Sequence, residues 1–264
     1  MKVKTIGDAT LYLGDCLDHL QKIPDQSVDM ILCDLPYGIT ENAWDCVIPL
    51  DQLWANYWRV CKPSAPIVLT ACQPFTSLLV MSQKQNFKYQ WIWEKGNATG
   101  FLNAKKQPLR AHEDILVFYK QQPNYFPQMH MREPYFRKER ATNSENYGIS
   151  GISKEINSNG ARFPRSVVQF NSVNYGDHPT QKPIALMEYL ILTYTKIGDV
   201  VLDNCFGSGT TGVAAIQQGR RFIGMELEKK YFEIGSTRIE QAAKQSQLFG
   251  VSGSGMDSHQ EQTQ

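Results

Sequence analysis

Residues 200–211, Val-Val-Leu-Asp-Asn-Cys-Phe-Gly-Ser-Gly-Thr-Thr, decide the fold class. The three apolar residues at the start predict a short buried strand that ends at Asp203. Gly207 and Gly209 then predict a turn in which the backbone approaches a ligand closely, and a helix is expected over residues 210–218. A strand, a glycine turn and a helix in this order are typical of one half of a nucleotide-binding sheet.

The strand that follows this helix, over residues 221–225, ends next to a second carboxylate, Glu226. Glu226 comes about 20 residues after Asp203, the spacing expected for an acidic side chain that accepts both hydrogen bonds of a ribose diol. The turn lacks the third glycine of a G-x-G-x-x-G motif, which disfavours a ligand whose pyrophosphate needs the start of the helix. The pattern therefore predicts an adenosyl ligand without phosphates.

Strands and helices alternate over most of the chain. The remaining predicted strands cover residues 28–33, 67–71, 89–93 and 114–119, and the remaining predicted helices cover residues 50–59 and 183–195. Such alternation indicates an α/β fold with a doubly wound, mostly parallel sheet. Residues 121–177 are polar and lack clear periodicity, so we expect an inserted module there. Residues 245–264 are rich in Gln, Ser and Gly, and we expect a disordered tail.

A second motif, Asp34-Leu-Pro-Tyr-Gly38, follows a predicted buried strand, where ligand sites of parallel sheets lie. An exocyclic amine on a nucleic-acid base is a poor nucleophile because its lone pair is delocalised into the ring. The Asp34 carboxylate and the main-chain carbonyl of Leu35 or Pro36 would accept its two hydrogens. Tyr37 would supply a flat face for a base flipped out of the duplex. Asp, Pro and Gly are also turn formers, so the motif alone leaves a simple turn open.

Together these motifs resemble those of the DNA amino-methyltransferases, which act on N6 of adenine or N4 of cytosine. Their order, with the Asp-x-Pro-Tyr motif first and the Phe-x-Gly-x-Gly motif near the C-terminus, resembles the circularly permuted beta class. His178-Pro-Thr-Gln-Lys-Pro183 resembles the segment that holds the methionine part of the cofactor, and Gly14-Asp-Cys16 resembles the opening segment. The chain departs from the family pattern at Leu35 and Asn204, where proline is usual.

The resemblance implies a Rossmann-like methyltransferase fold and direct methyl transfer from S-adenosyl-L-methionine to N6 of adenine. The catalytic residues that it implies are Asp34, Pro36 and Tyr37. The cofactor-binding residues are expected to be Asp15, Cys16, Asp34, Lys182, Asp203, Phe206, Gly207, Gly209, Thr210 and Glu226. Asp34 favours adenine, because the cytosine-N4 branch typically has Ser there. N4 of cytosine and a catalytically silent cofactor-binding or DNA-binding module stay open as alternatives.

The expected DNA contacts come from a local excess of positive charge, since the net charge of the chain is only +1. Lys105, Lys106 and Arg110 lie in a basic segment and would neutralise phosphates. In the family, the insertion that corresponds to residues 121–177 carries target recognition. Residues 1–120 and 178–244 would then form the catalytic and cofactor-binding methyltransferase domain.

Composition excludes several other kinds of site. The six cysteines form no C-x-x-C pair, so we expect neither a metal site nor a disulfide framework. No apolar run approaches the ~18 residues of a membrane span, and the N-terminus lacks a signal-peptide pattern. We therefore expect a cytoplasmic protein without a membrane partner. The resemblance implies DNA as its partner, and a homodimer is left open.

Overall fold

The computed structural model of the protein describes residues 2–38, 47–139, 142–144, 148–150, 154–173 and 181–248. Its strands are β1 (Lys2–Ile6), β2 (Ala9–Leu13), β3 (Met30–Asp34), β4 (Ile67–Ala71), β5 (Phe87–Thr99), β6 (Arg110–Phe118), β7 (His130–Met131), β8 (Tyr135–Glu139), β9 (Thr142–Ser144), β10 (Gly148–Ser150), β11 (Lys154–Ser158), β12 (Ala161–Arg162), β13 (Val167–Phe170), β14 (Val200–Asp203) and β15 (Arg221–Glu226). Its helices are α1 (Cys16–Leu20), α2 (Leu50–Val60), α3 (Phe75–Ser82), α4 (Ile184–Tyr194), α5 (Thr210–Gln217) and α6 (Lys229–Leu248).

Nine of these strands form one mixed sheet, in the order β1-β2-β15-β14-β3-β4-β6-β5-β13. The run from β2 to β4 is parallel throughout, and β5 is parallel to β13. The pairs β1–β2, β4–β6 and β5–β6 are antiparallel. The predicted mostly parallel α/β sheet is confirmed. The antiparallel pairs β1–β2 and β5–β6 arise where consecutive strands are joined without a crossover helix, a connection that only antiparallel neighbours allow.

The central strands are apolar on both faces because helices cover both sides of the sheet. Ile31 and Cys33 of β3 point to the cluster that includes Leu53 of α2. Met30 and Leu32 of the same strand point to the opposite cluster, with α4, α5 and α6. Alternate residues of one strand therefore contribute to two cores, as expected for a doubly wound sheet.

Helix α6 shows that the predicted tail begins too early. The tail was expected from residue 245, whereas α6 continues to Leu248. Ala242 and Ala243 are buried in the core, and the Ser246 hydroxyl lies 3.5 Å from the Ile216 carbonyl oxygen, so the last turn packs against the domain. Residues 249–264 of the predicted tail lie outside the described residues.

A second compact unit, Pro127–Arg165, separates from the rest of the chain. Its described residues form three antiparallel two-stranded pairs, β7–β12, β8–β11 and β9–β10. Within it, the Arg132 amide donates to the Gly160 carbonyl oxygen at 2.8 Å. The unit falls inside the insertion predicted over residues 121–177, whose role in target recognition stays a prediction.

Two further findings concern membrane-spanning helices and disulfide bonds, neither of which the sequence predicts. In the part of the chain with described structure, no helix combines the length and apolar character that a membrane crossing requires. The cysteines seen there are all free thiols: Cys16, Cys33, Cys61, Cys72 and Cys205. Cys46 lies outside the described residues.

Candidate active site

A cavity of about 710 Å³ lies at the edge of the sheet where β3, β14 and β15 end. Parallel strands place their carboxyl ends at one edge, so the acidic residues at these ends meet there. The cavity is lined by all but one of the predicted catalytic and cofactor residues: Asp15, Cys16, Asp34, Pro36, Tyr37, Lys182, Asp203, Phe206, Gly207, Thr210 and Glu226. Gly209 is the exception.

Glu226 is fixed across the glycine turn by main-chain hydrogen bonds. Its two carboxylate oxygens accept hydrogen bonds from the Gly207 amide at 2.9 Å and from the Glu228 amide at 2.7 Å. The Gly14 amide donates to the Glu226 carbonyl oxygen at 2.9 Å, which brings the opening segment to the same place. Burial raises the pKa of the Glu226 carboxyl to about 6.

Asp203 and Asn204 form the floor at the end of β14. Asp203 is 2% exposed and accepts a hydrogen bond from the Cys205 amide at 3.0 Å. Burial raises its pKa to about 6. Asn204, which stands where the family usually has proline, is also buried and accepts a hydrogen bond from the Tyr57 hydroxyl of α2. Because this residue is Asn and not the usual proline, its side chain can form a hydrogen bond that links the turn after β14 to α2 on one face of the sheet.

Gly209 serves the packing of helices and does not line the cavity. Its φ of 82° is in the left-handed region. A Cβ at this position would lie 2.9 Å from the Cα of Gly235 in α6. The neighbouring Thr210 lines the cavity, and its buried hydroxyl has no hydrogen-bond partner among the described residues.

Asp34 is the centre of the second motif. Its Oδ1 accepts hydrogen bonds from the Tyr37 hydroxyl at 2.6 Å and from the Thr70 hydroxyl of β4. Its Oδ2 accepts a hydrogen bond from the Lys182 ammonium at 2.5 Å. Tyr37 is thereby held in place, with its ring 5.4 Å from that of Phe75. Burial and the Asp34 charge raise the pKa of Tyr37 well above its usual value, so its hydroxyl remains a donor.

Three residues of this centre were missed by the sequence reasoning: Thr70, Lys95 and Glu113. Lys182 Nζ lies 3.3 Å from Glu113 Oε2, and Lys95 pairs with Glu113 Oε1. Nothing in the motifs marks these residues, because they lie on β4, β5 and β6, outside every motif. Lys182 was predicted to contact the cofactor, which stays a prediction; in the structure its ammonium lies 2.5 Å from Asp34 Oδ2.

The predicted DNA contacts separate into two groups. Lys105 and Lys106 are exposed and follow a 3-10 turn at Phe101–Asn103 between β5 and β6. Arg110 begins β6, lines the cavity and lies 3.7 Å from the Cys72 sulfur. His178 and the rest of its motif up to residue 180 are outside the described residues.

Among the residues with described positions, no group of three or more His, Cys, Asp or Glu side chains is arranged to hold a metal ion.

Comparison with known proteins identifies relatives along most of the chain. A family model described as DNA methylase matches residues 28–237. The chain is 32% identical over 257 residues to the DNA adenine methyltransferase YhdJ of Escherichia coli strain K12, covering 90% of this chain and 84% of that protein. It is 26% identical over 248 residues to the Type II methyltransferase M.HpaI of Haemophilus parainfluenzae, covering 88% and 74%.

Solved structures agree with this relationship. The M1.HpyAVI–SAM complex superposes with a TM-score of 0.60 at 26% identity, covering 87% of this chain and 99% of that one. The cytosine-N4-specific PvuII DNA methyltransferase superposes with a TM-score of 0.63, covering 96% and 97%. At 16% identity, this second likeness concerns the fold alone.

Proposed function

The chain belongs to the N6/N4 DNA methylase family, and we propose that it transfers a methyl group to the N6 amine of an adenine flipped out of DNA. One observation carries the proposal: the Asp34 carboxylate lies in the same cavity as Asp203 and Glu226, which are suited to an adenosyl group. We also place the chain in the circularly permuted beta class, because its catalytic motif precedes its cofactor motif.

The methyl donor is S-adenosyl-L-methionine, which supplies an electrophilic methyl group on a sulfonium. The residues of the cavity suit this cofactor. Each Glu226 oxygen accepts one main-chain hydrogen bond and keeps a lone pair for a ribose hydroxyl. The Thr210 hydroxyl is a buried polar atom in need of a partner. An ammonium has three N–H donors, so Lys182, which donates to Asp34 and lies 3.3 Å from Glu113 Oε2, keeps a donor for the methionine carboxylate.

Asp34 would act on the target amine through a hydrogen bond. An acceptor that draws on an amine hydrogen localises the nitrogen lone pair and stabilises the positive charge that develops on that nitrogen. Tyr37 and Thr70 both donate to Asp34 Oδ1, so the carboxylate is oriented before a base arrives. The main-chain carbonyl at Pro36, which lines the same cavity, would accept the second amine hydrogen.

Adenine is preferred over cytosine for two reasons. The relative at 32% identity is a DNA adenine methyltransferase, and position 34 is Asp instead of Ser. The cytosine-N4 alternative remains a rival, because both bases offer an amine beside a ring nitrogen and the PvuII enzyme shares this fold.

DNA would approach over the connection between β5 and β6. Lys105 and Lys106 are exposed there, and Thr99, Gly100 and Arg110 at its two ends line the cavity. We further propose that residues 121–177 recognise the target sequence and that the enzyme is cytoplasmic. A homodimer stays a prediction.

The test is a transfer assay with tritium-labelled S-adenosyl-L-methionine and unmodified DNA, followed by chromatography of the nucleosides. We expect labelled N6-methyladenine. Labelled N4-methylcytosine as the main product would overturn the base assignment and leave amine methylation standing. Absence of label in DNA, with the cofactor bound, would favour the catalytically silent module.

A further inference from the structure

Four charged side chains alternate in sign along a buried row: Asp34, Lys182, Glu113 and Lys95. Lys182 Nζ lies 2.5 Å from Asp34 Oδ2 and 3.3 Å from Glu113 Oε2, and Lys95 pairs with Glu113 Oε1. The Lys182, Lys95 and Glu113 side chains are 7%, 11% and 14% exposed, whereas that of Asp34 is 27% exposed. The row therefore has one open end, at the carboxylate that is proposed to receive the target amine.

The hydrogen bonds of Asp34 leave little room for that amine. Oδ1 already accepts two donors, Tyr37 and Thr70, which use both of its lone pairs. Oδ2 is bound by the Lys182 ammonium. A cation in this place also opposes the positive charge that develops on the amine nitrogen during methyl transfer. Oδ2 keeps one further lone pair for the amine, but the ammonium beside it weakens the carboxylate as an acceptor. A shift of Lys182 away from Asp34 therefore favours methyl transfer.

Glu113 offers Lys182 a second position. In the described part of the chain, Glu113 Oε2 is buried and accepts no hydrogen bond, yet it lies 3.3 Å from the ammonium. Lys95 holds the other oxygen of the same carboxylate. Because a buried charge without a partner is costly, Lys182 would leave Asp34 only toward another anion. Glu113 is that anion, and a short movement of the ammonium completes a hydrogen bond to it.

We propose that Glu113 is a positioning residue that draws Lys182 away from Asp34 as the target amine binds, and that Lys95 fixes Glu113 for this purpose. After the exchange, Asp34 accepts hydrogen bonds from the amine, Tyr37 and Thr70, while Lys182 stays paired with Glu113. The charge of Asp34 is then available to the positive charge that develops on the amine. The inference rests on the proposed methylation of a DNA amine. Although burial alone would lower the pKa of Lys182, Asp34 and Glu113 raise it above its usual range, so the residue stays a cation throughout.

The first test is Glu113→Gln, which keeps the shape of the side chain and removes its charge. We expect the single-turnover methylation rate to fall by roughly tenfold or more, within the range of coupling found for neighbours in one ion-pair network. Affinity for S-adenosyl-L-methionine should change by less than about twofold, because Lys182 keeps its charge and its hydrogen bond to Asp34 in this variant and can still bind the cofactor carboxylate. The matched control is Glu94→Gln, an exposed carboxylate on β5, which should methylate at the wild-type rate.

A double-mutant cycle with Lys182→Met separates positioning from general support of the fold. If Glu113 acts through Lys182, the double variant is no slower than Lys182→Met alone. Losses that multiply would overturn the inference. Should Glu113→Gln fail to fold, Glu113→Asp retains the charge but withdraws it from Lys182 by one methylene, and a wild-type rate in that variant would also overturn it.

The wild-type protein in the same assay distinguishes the two levels of the argument. A wild-type protein that binds the cofactor and transfers no methyl group to DNA contradicts the proposed function. An active wild-type protein with an equally active, folded Glu113→Gln variant contradicts only the role of Glu113.

Discussion

At the scale of single residues, Asp34 is the proposed acceptor of the target amine, and its surroundings fit that role. Tyr37, Thr70 and Lys182 all donate to it, so its two oxygens are fixed in direction before the substrate arrives. A preorganised acceptor avoids the cost of reorientation during the reaction. The hydroxyl donors come from two different strand ends, β3 and β4, which stiffens the arrangement further.

We predict that Asp34→Ala lowers the methyl-transfer rate by at least about 10²-fold, the scale seen when one preorganised polar group is removed. The cofactor should still bind, because Asp203 and Glu226 are untouched and Lys182 retains Glu113 as its partner. Single-turnover kinetics and titration calorimetry measure the two effects. Asp51→Ala, which removes an exposed carboxylate on α2, serves as the control. A folded Asp34→Ala protein with wild-type rate would refute the mechanism.

At the scale of elements, the connection between β5 and β6 is the expected contact with the DNA backbone. We predict that replacing Lys105 and Lys106 by alanine weakens DNA binding and lowers the slope of log affinity against log salt by roughly 2, since each phosphate contact contributes about 0.9. Cofactor affinity should stay constant. Binding is measured by fluorescence anisotropy over a salt series.

The matched control for this variant removes two other exposed lysines, Lys196 and Lys244, and so the same total charge. If both double variants lower the salt slope equally, the effect comes from net charge. If neither changes it, the β5–β6 connection faces away from DNA.

Helices α5 and α6 approach each other through glycine. Gly209 and Gly198 share a φ of 82°, but only Gly209 lies against another backbone, that of Gly235. At Gly198 no heavy atom among the described residues comes within 4 Å of the Cβ position. Alanine at either site strains the backbone, which lowers the free energy of unfolding by on the order of 1–2 kcal/mol.

We therefore predict that Gly209→Ala lowers the free energy of unfolding more than Gly198→Ala does, because only the first also forces α6 away from the turn. Urea unfolding of both variants measures the difference. Equal losses would mean that α6 adjusts without cost and that the close approach of Gly209 to Gly235 is not needed for stability.

At the scale of the whole molecule, the buried carboxylates of Asp203 and Glu226 make both stability and cofactor affinity depend on pH. The two quantities are expected to change in opposite directions as pH rises. Burial raises the pKa of both Asp203 and Glu226 to about 6. The folded state therefore holds their protons more tightly than the unfolded chain does. Their contribution to the free energy of unfolding is present at low pH and is lost as pH rises through about 6.

The folded protein without cofactor favours the protonated form of these carboxyl groups, whereas the cofactor favours the ionised form, because a carboxylate accepts two ribose hydrogen bonds only when it is ionised. We predict that affinity for S-adenosyl-L-methionine rises as pH increases through about 6, and that Glu226→Gln flattens this dependence. Titration calorimetry at several pH values on either side of 6 measures it. An affinity that stays constant over this range in the wild-type protein would exclude these carboxylates as the ionising groups.

Several elements could be read directly from local pattern. The strand β4 has the predicted bounds, and β14, β15, α2, α4 and α5 differ from the predicted ones by one residue at one or both ends. The hairpin of β1 and β2 was not predicted, because most of its side chains are partly exposed and carry little periodicity. The short helix α1 was missed because five residues give no helical repeat.

The sequence alone determined the parts of this protein whose signal is contiguous. A buried strand, its acidic end and the following glycine or proline turn lie within a dozen residues. The cofactor motif and the Asp34 motif can therefore be recognised in the sequence without the structure. The tertiary structure decided how Asp34 is held. Lys182 lies 148 positions away, and Glu113 reaches the same edge only because β6 begins there, antiparallel to β4. The pairs of Lys182 with Asp34 and with Glu113 have no sequence spacing that marks them, because they form only where the order of strands in the sheet brings these charges together.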